Sequence, residues 1–335
     1  MKLLRKILFP LVPVYYTVTS VRNKLYDLGF KKSKSYDFPV ICVGNLSVGG
    51  TGKTPMIEYL IKLLKNDYKI ATLSRGYKRK SEGFQLADEN STVEILGDEP
   101  FQFYTKFGNV IQVAVDANRQ AGISKLRILE NGVEIVLLDD AFQHRKVNAG
   151  FNILLTTYNN IYTNDFVLPT GNLREPKSGA KRANIIVVTK CPETLDISKK
   201  TELIKQINPE KHQAVFFSSI AYAEEVISLN AKRTIDTLNN FTLVTGIANP
   251  KPLISFLKSK GLSFEHLNFK DHHEFSKEDI LKLENKGVIV TTEKDFMRLK
   301  HYKSLQSALY YLPITMVIDD SLKFNELIKS FVKNN

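Results

Sequence analysis

An apolar, strand-like run passes directly into a glycine-rich turn in the stretch Val40-Ile-Cys-Val-Gly44-Asn45-Leu-Ser47-Val48-Gly49-Gly50-Thr51-Gly52-Lys53-Thr54-Pro55. A helical pattern follows it, and this order of strand, loop and helix is the context that a Walker A phosphate-binding motif requires. In such a loop the backbone N–H groups surround phosphate oxygens, Lys53 neutralises their charge and Thr54 ligates Mg²⁺. One position departs from the pattern, because Ser47 stands where the first glycine is usual. We predict that nucleotide phosphate is bound by Ser47, Val48, Gly49, Gly50, Thr51, Gly52, Lys53 and Thr54.

A pair of acids follows another apolar run, at Asp139-Asp140. A P-loop needs a carboxylate at the end of a neighbouring strand to orient Mg²⁺, which makes Asp139 the Walker B candidate. The alternative is a capped strand end. Asp140 is less determined, because adjacent strand residues point to opposite faces.

Short apolar runs alternate with helical patterns from residue 38 onward, which indicates βα units on a mainly parallel sheet. We predict an α/β fold: a P-loop NTPase-like, mainly parallel sheet with helices on both faces, plus a second, smaller α/β domain. The predicted boundaries are 1–225 for the first domain, 226–240 for a linker and 241–335 for the second. The predicted strands are 40–43, 70–74, 110–113, 135–138, 151–156, 185–189, 214–219, 241–245, 264–269, 287–291 and 310–318.

The composition is that of a globular chain: 335 residues, 43% hydrophobic and 24% charged. Such a chain is neither collagen-like nor wholly disordered. Its 47 Lys and Arg against 35 Asp and Glu give a net charge of +12, which attracts nucleic acid, an anionic membrane or a phosphorylated substrate. Only two cysteines occur, Cys42 and Cys191, too few for a disulfide framework, which fits a reducing cytosol.

The N-terminal segment has basic residues around an apolar run of roughly 15 residues, shorter than the roughly 20 that a spanning helix needs. Pro10 and Pro13 interrupt it, and no small-residue cleavage site follows it. We expect an interfacial segment whose apolar side chains enter the lipid boundary, and the alternative is a helix packed on the core. Lys2, Arg5, Lys6, Arg22 and Lys24 are the basic residues that would meet anionic lipid.

Several polar residues lie in predicted loops, and their sequence context alone does not assign their roles. Asp98 and Glu99 suit a helix N-terminus, where acids lie near the positive end of the dipole. Arg75 follows a strand end, as either an anion contact or an exposed turn residue. His272 and His273 are adjacent, so their side chains diverge and make poor joint ligands for one metal. The more specific hypothesis is that a carboxylate orients one of these histidines for proton transfer.

Taken in order, these segments resemble the tetraacyldisaccharide 4′-kinase family, whose members phosphorylate the lipid A precursor. The family tolerates serine at the position of Ser47, whereas Ala141 departs from the glycine that usually follows the acid pair. The matching pieces are 44–54, Ser74-Arg75-Gly76-Tyr77, Gly97-Asp98-Glu99-Pro100, Asp139-Asp140-Ala141-Phe142-Gln143-His144-Arg145, 168–176, Asp271-His272-His273 and Thr291-Thr292-Glu293-Lys294-Asp295.

The resemblance implies transfer of the γ-phosphoryl group of ATP, with Mg²⁺, to the 4′-hydroxyl of an acylated disaccharide 1-phosphate. It implies a peripheral location at the cytoplasmic face of the inner membrane. By similarity, Asp98 pairs with His272 to activate the hydroxyl, Lys53 and Asp140 act at the phosphates, and Thr54, Glu99 and Asp139 hold Mg²⁺. The residues expected to bind the substrate are Asn45, Arg75, Tyr77, Gln143, His144 and Arg174.

Three other functions compete with a kinase. Membrane-associated partition ATPases share the sequence around Gly49 to Thr54, but Val48 occupies the position of their signature lysine. A nucleic-acid binder needs a basic stripe with interleaved aromatic residues, and the densest basic cluster, 78–80, is short. A GTPase needs an aspartate two residues after Lys190, where Pro192 stands. We therefore expect no nucleic-acid partner and see no sign of an obligate protein partner.

Overall fold

The computed structural model describes Arg5, residues 7–129 and residues 132–335, which form two sheets with helices packed against them. Lys2 and Lys6 of the predicted lipid-contacting segment lie outside the described residues. The strands of the first sheet are β1 (Val40–Asn45), β2 (Ile70–Ser74), β3 (Gln85–Leu86), β4 (Gln112–Val115), β5 (Ile135–Asp139), β6 (Phe151–Thr157), β7 (Ile185–Thr189), β8 (Ala214–Tyr222) and β15 (Ile314–Ile318).

The first sheet has the order β15-β8-β7-β6-β1-β5-β2-β4-β3. Its seven central strands are parallel, and β3 and β15 pair antiparallel at the edges. Side chains of β1 alternate between two apolar clusters: Val40 and Cys42 enter one, whereas Ile41 and Val43 enter the other. Because successive strand residues point to opposite faces, the sheet is buried on both sides, as parallel sheets are.

Helices cover both faces of this sheet, and others pack against the second sheet. The helix α2 (Lys53–Leu64) packs on the face with Ile41, and α5 (Arg119–Arg127) packs on the face with Cys42. Both cysteines are buried and free, as the sequence predicts. The helices are α1 (Val12–Asp27), α2 (Lys53–Leu64), α3 (Val93–Leu96), α4 (Asp98–Phe107), α5 (Arg119–Arg127), α6 (Ile197–Ile207), α7 (Lys251–Ser259), α8 (Lys277–Glu284), α9 (Glu293–Leu299) and α10 (Ser321–Lys333).

The second sheet has six strands in the order β10-β9-β14-β13-β11-β12. Its four strands β12, β11, β13 and β14 are parallel, and the short β9 and β10 extend it antiparallel. The predicted α/β architecture with a smaller second sheet is therefore confirmed. The strands are β9 (Glu225–Ile227), β10 (Lys232–Thr234), β11 (Phe241–Thr245), β12 (Phe264–Asn268), β13 (Ile289–Thr292) and β14 (Leu309–Leu312).

The pairing of the strands differs from the predicted division of the chain in two places. Residues 226–240, predicted as a linker, hold β10 and most of β9, so they belong to the second sheet. The predicted strand 310–318 is two strands, because Pro313 separates β14 in the second sheet from β15 in the first. Proline lacks the N–H that a continuous ladder requires. The last strand and helix therefore return to the first sheet, outside the predicted 241–335 unit.

The N-terminal helix α1 packs one side on the protein and leaves the other exposed. Val12 and Tyr15 contact the core, whereas Val14, Val18 and Val21 are 63%, 62% and 51% exposed. The structure thus combines features of both alternatives for this segment. Within the described ranges, none of the helices has the length and apolar character that a membrane span requires.

Candidate functional site

The glycine-rich loop leads from the end of β1 at Asn45 to the start of α2 at Lys53. Gly49 and Gly52 have φ angles of 109° and 89°, which favour glycine. Asn45, the last residue of β1, bonds to the other end of the loop: its side-chain nitrogen donates to Thr51 Oγ1 at 2.8 Å. The loop therefore has the backbone of a phosphate-binding turn at the N-terminus of a helix.

Neighbouring segments hold this loop from two sides. The 167–174 segment pairs with it through Val48 N to Asn172 O, 2.8 Å, and Arg174 N to Leu46 O, 2.7 Å. On the other side, Lys190 Nζ donates to Gly50 O at 2.6 Å. These bonds fix the shape of the loop before any anion binds. The N–H of Val48, a residue predicted to bind phosphate, is bonded to Asn172 O.

The acid pair at the end of β5 places its two carboxylates in different surroundings. Asp139 is buried; its Oδ2 accepts from Ser74 at 3.3 Å, whereas Oδ1 has no hydrogen-bond partner among the described residues. Burial and then the charge of Asp140 raise the pKa of Asp139 to about 7. A cation at Oδ1 would satisfy this oxygen and favour its ionised form.

Asp140 faces the phosphate-binding loop. Its φ angle of 49° lies in the left-handed region, and its carboxylate contacts Arg174 at 3.0 Å and Lys53 at 3.6 Å. Burial opposes its ionisation, but Lys53 and Arg174 outweigh burial and lower the pKa of Asp140. Asp140 is therefore an anion beside Lys53 of the P-loop.

Asp98 and His272 meet across the two sheets. Asp98 is the first residue of α4, and His272 lies in the loop after β12 with a φ angle of 58°. His272 Nδ1 is 3.1 Å from Asp98 Oδ2, and Arg298 of α9 donates to Asp98 Oδ1 at 3.1 Å. Burial opposes the charge of Asp98, but the hydrogen bonds from His272 and Arg298 hold the pKa of its carboxyl well below the usual range.

The tautomer of His272 follows from its second partner. Lys294 Nζ is 2.9 Å from His272 Nε2. An ammonium group only donates hydrogen bonds, so Nε2 accepts and the ring proton is assigned to Nδ1, facing Asp98. Arg298 Nη2 also lies 3.1 Å from Nδ1, and with this tautomer it donates to Asp98 Oδ2 and not to the ring. His272 thus carries a lone pair on Nε2 and is oriented by a carboxylate, which is the arrangement of a general base.

Glu99 connects this pair with the acids of β5. Its carboxylate is 3.3 Å from Lys294 Nζ, and its charge contributes to the raised pKa of Asp139. Tyr77 lies with its ring edge toward His272, at 6.2 Å between centroids. Arg75 is exposed, and its charge acts on His144.

The other predicted substrate residues lie under or beside the loop. Gln143 donates to Asn45 O at 2.8 Å and to Glu175 at 2.9 Å, so Asn45 and Gln143 are both engaged in bonds within the protein. Burial and nearby cations lower the pKa of His144 to about 4. Ser47 is buried against Leu173.

Three residues important to this geometry have no role in the sequence-based hypothesis. Arg298 holds Asp98, Lys294 bonds His272, and Glu175 is a buried carboxylate that accepts hydrogen bonds from Asn23, Gln143 and Arg182. Lys294 and Glu175 fall within the motifs quoted above. Arg298 lies outside them, and only its position one helical turn after Lys294 signals it.

The residues suit a Mg²⁺ ion bound together with a nucleotide. Such an ion needs one or two protein carboxylates and takes its remaining ligands from phosphates and water. Asp139 offers a buried oxygen that has no partner among the described residues, Glu99 lies near it, and Thr54 follows Lys53 in the first turn of α2. In the described part of the chain, no three acidic, histidine or cysteine side chains group closely enough to hold a metal by themselves.

Residues 4–333 match the family described as tetraacyldisaccharide-1-P 4′-kinase, LpxK. The tetraacyldisaccharide 4′-kinase of Flavobacterium johnsoniae is 54% identical over 341 residues, which cover 100% of this chain and 99% of that protein. The protein of the same name from Bacteroides thetaiotaomicron is 45% identical over 360 residues, covering 99% and 94%. A crystal structure of "apo" form LpxK from Aquifex aeolicus in complex with ATP is 31% identical, with a TM-score of 0.80, and covers 98% of this chain and 99% of that one. These comparisons give the partition-ATPase alternative no support.

Proposed function

Because the chain belongs to the tetraacyldisaccharide 4′-kinase family and is an ATP-dependent lipid A 4′-kinase, we propose that the Asp98–His272 pair activates the sugar hydroxyl opposite the P-loop. The observation that carries this proposal is the 3.1 Å contact between His272 Nδ1 and Asp98 Oδ2, which joins the two sheets beside the P-loop acids. The acceptor is the 4′-hydroxyl of a tetraacyl disaccharide 1-phosphate.

The phosphates of ATP bind the backbone N–H groups of the loop and Lys53. Phosphoryl transfer asks a protein mainly for positioning and neutralisation of charge. Lys53 and Arg174 both contact Asp140, which holds the two cations beside the loop. When phosphate arrives, it competes with Asp140 for Lys53, and Arg174 keeps the displaced carboxylate paired.

The proton of the sugar hydroxyl passes to His272 Nε2. Asp98 holds the ring through Nδ1 and stabilises the imidazolium that forms, and Arg298 keeps Asp98 ionised. The hydroxyl must replace Lys294 at Nε2, and Glu99, 3.3 Å from Lys294 Nζ, provides that ammonium with another partner. Tyr77 lies beside the ring, where a sugar would pack.

Mg²⁺ would be held by Thr54, Glu99 and Asp139. When bound, it supplies neutralisation of the charge on the transferring phosphoryl group. Burial keeps the pKa of Asp139 near 7, so a cation at this carboxylate binds together with loss of its proton.

The enzyme works at the cytoplasmic face of the inner membrane as a peripheral protein. The exposed apolar face of α1 supports this location, and the exposed Lys24 of the same helix suits anionic lipid, whereas Arg22 donates to Gln143 O at 2.8 Å. Acyl chains then stay in the bilayer while the sugar reaches the site. In this proposal the exposed Arg75 meets the 1-phosphate of the substrate.

The test is transfer of labelled γ-phosphate from ATP to the detergent-solubilised acceptor, with and without Mg²⁺. The wild type forms labelled lipid, Lys53→Ala does not, and Lys181→Ala, which changes an exposed lysine far from the loop, matches the wild type. ATP hydrolysis by the wild type without labelled lipid would exclude this acceptor.

A further inference from the structure

Four polar side chains from three helices meet in the interior: Glu58 of α2, Gln102 and Lys106 of α4, and Glu293 of α9. Lys106 Nζ donates to Glu58 Oε2 at 2.5 Å and to Glu293 Oε1 at 2.9 Å. Gln102 Nε2 donates to Glu58 Oε1 at 2.8 Å and to Glu293 Oε2 at 3.0 Å. All four carboxylate oxygens have a partner on α4. We call these four residues the buried-lysine cluster.

The charges of this cluster depend on one another. Burial opposes the charge of Lys106, but Glu58 and Glu293 outweigh it and raise the pKa of the ammonium. Burial and then the charge of Glu58 raise the pKa of Glu293. Removing Lys106 would leave two carboxylates facing each other without a counter-charge, an arrangement that proteins avoid by moving apart or taking up protons.

The surroundings of the cluster on α4 and α9 are apolar. Phe101 of α4 and Phe296, Met297 and Leu299 of α9 belong to one apolar cluster. Apolar surfaces tolerate several relative placements, whereas a set of paired charges permits one. The buried-lysine cluster therefore fixes how far α4 stands from α2 and from α9.

The same three helices carry the parts of the candidate site. On α4, Asp98, Gln102 and Lys106 follow at four-residue spacing on one face, with Lys106 two turns, about 12 Å, from Asp98. On α9, Glu293 is next to Lys294, which bonds His272. On α2, Glu58 lies one turn after Thr54.

We propose that Lys106 is a positioning residue for phosphoryl transfer: through Glu58 and Glu293 it sets the distance between the P-loop helix and the Asp98–His272 pair. It touches neither ATP nor the acceptor. The inference rests on the proposed function of Asp98 and His272, because a displaced α4 slows transfer only if Asp98 takes part in it.

The experiment compares the full-length Lys106→Met and Lys106→Arg variants with the wild type in the labelled-phosphate assay, with both substrates varied. Lys106→Met lowers kcat by about 10- to 100-fold, as a misplacement of about 1 Å does, and changes either KM by less than about twofold. Lys106→Arg recovers most of kcat. Lys205→Met, an exposed lysine on α6, keeps the wild-type kcat.

Folding is separated from positioning by a second variant and by thermal unfolding. Glu293→Gln keeps the shape of the side chain and its bond to Lys106, and it lowers kcat less than Lys106→Met at temperatures well below its Tm. Wild-type kcat in a folded Lys106→Met variant with a lowered Tm would overturn the inference and leave a structural role. If Asp98→Asn also kept wild-type kcat, the proposed function itself would fail instead.

Discussion

At the scale of single residues, the candidate site depends on how each ionisable group is partnered. Asp98 is half-buried yet ionised because Arg298 and His272 donate to it. Asp139 is buried, one of its oxygens has no partner in the part of the chain that the structure describes, and the pKa of its carboxyl is raised to about 7. The pKa of Asp98 is therefore lowered and the pKa of Asp139 is raised. Ionisable groups with shifted pKa values are typical of catalytic sites.

The partner of Asp98 provides a test by pH. In Arg298→Met the carboxylate loses a charged donor, so the pKa of Asp98 rises toward its ordinary value. The ionised form then appears only at higher pH, and the titration of the Asp98 carboxyl, followed by NMR, moves upward by about 1 to 3 pH units. Arg298→Lys, which keeps a positive charge, shifts this titration less. An unmoved Asp98 titration in Arg298→Met would mean that Arg298 does not hold the carboxylate ionised.

The motif residues of the P-loop and the acid pair were predictable because their function requires fixed spacing along one strand and one turn. Arg298 was not, since a single arginine in a short helix has no distinguishing spacing. Lys106 and Glu58 look like ordinary polar positions of exposed helix faces, and only the packing of α2 against α4 shows that they are buried together.

At the scale of elements, β1 and the turn after β5 approach so closely that glycine is required. A Cβ placed on Gly44 would lie 2.6 Å from Cβ of Phe142. Gly44→Ala therefore overpacks this contact and lowers the free energy of unfolding by about 1–3 kcal/mol, measured by urea denaturation. Gly287→Ala, where an added Cβ meets nothing within 4 Å, is the matched control and changes stability by less than about 1 kcal/mol. Equal stability of the two variants would contradict this packing account.

The exposed face of α1 leads to a prediction about membranes. Val14→Ser together with Val18→Ser removes apolar surface from that face and weakens binding to anionic vesicles by about tenfold or more. Transfer to a detergent-solubilised acceptor stays at the wild-type rate, because neither side chain reaches the site. Leu322→Ser, an exposed apolar residue of α10 that is 84% exposed, serves as control. Unchanged vesicle binding of the double variant would remove α1 from the membrane contact.

Sequence patterns predicted the positions of the strands better than their boundaries. Apolar runs located all the strands of the parallel regions, because buried strands are continuous in hydrophobicity. The pattern did not reveal that 310–318 divides between two sheets, since both halves are apolar and only Pro313 marks the change. The short strands β9 and β10 were not predicted, because three residues each are too few to form a recognisable apolar run.

At the scale of the whole molecule, the two sheets contribute different halves of the candidate site. The first provides the P-loop, the acid pair and Asp98, and the second provides His272, Lys294 and Arg298. The last strand and helix return to the first sheet, so the second sheet is joined to the first by chain at both of its ends. Order of strands and contact between sheets are set by packing of distant segments, which is why local sequence patterns do not predict them.

The central claim is that His272, oriented by Asp98, takes the proton of the sugar hydroxyl. The most direct measurement is the single-turnover rate of γ-phosphate transfer from bound ATP to the tetraacyl disaccharide 1-phosphate in Asp98→Asn, beside Asp88→Asn as a control in an exposed loop. We predict that Asp98→Asn lowers this rate by about 100- to 10,000-fold with unchanged ATP binding, as loss of general base catalysis does, and that Asp88→Asn leaves it unaltered. A wild-type rate in Asp98→Asn would contradict the account.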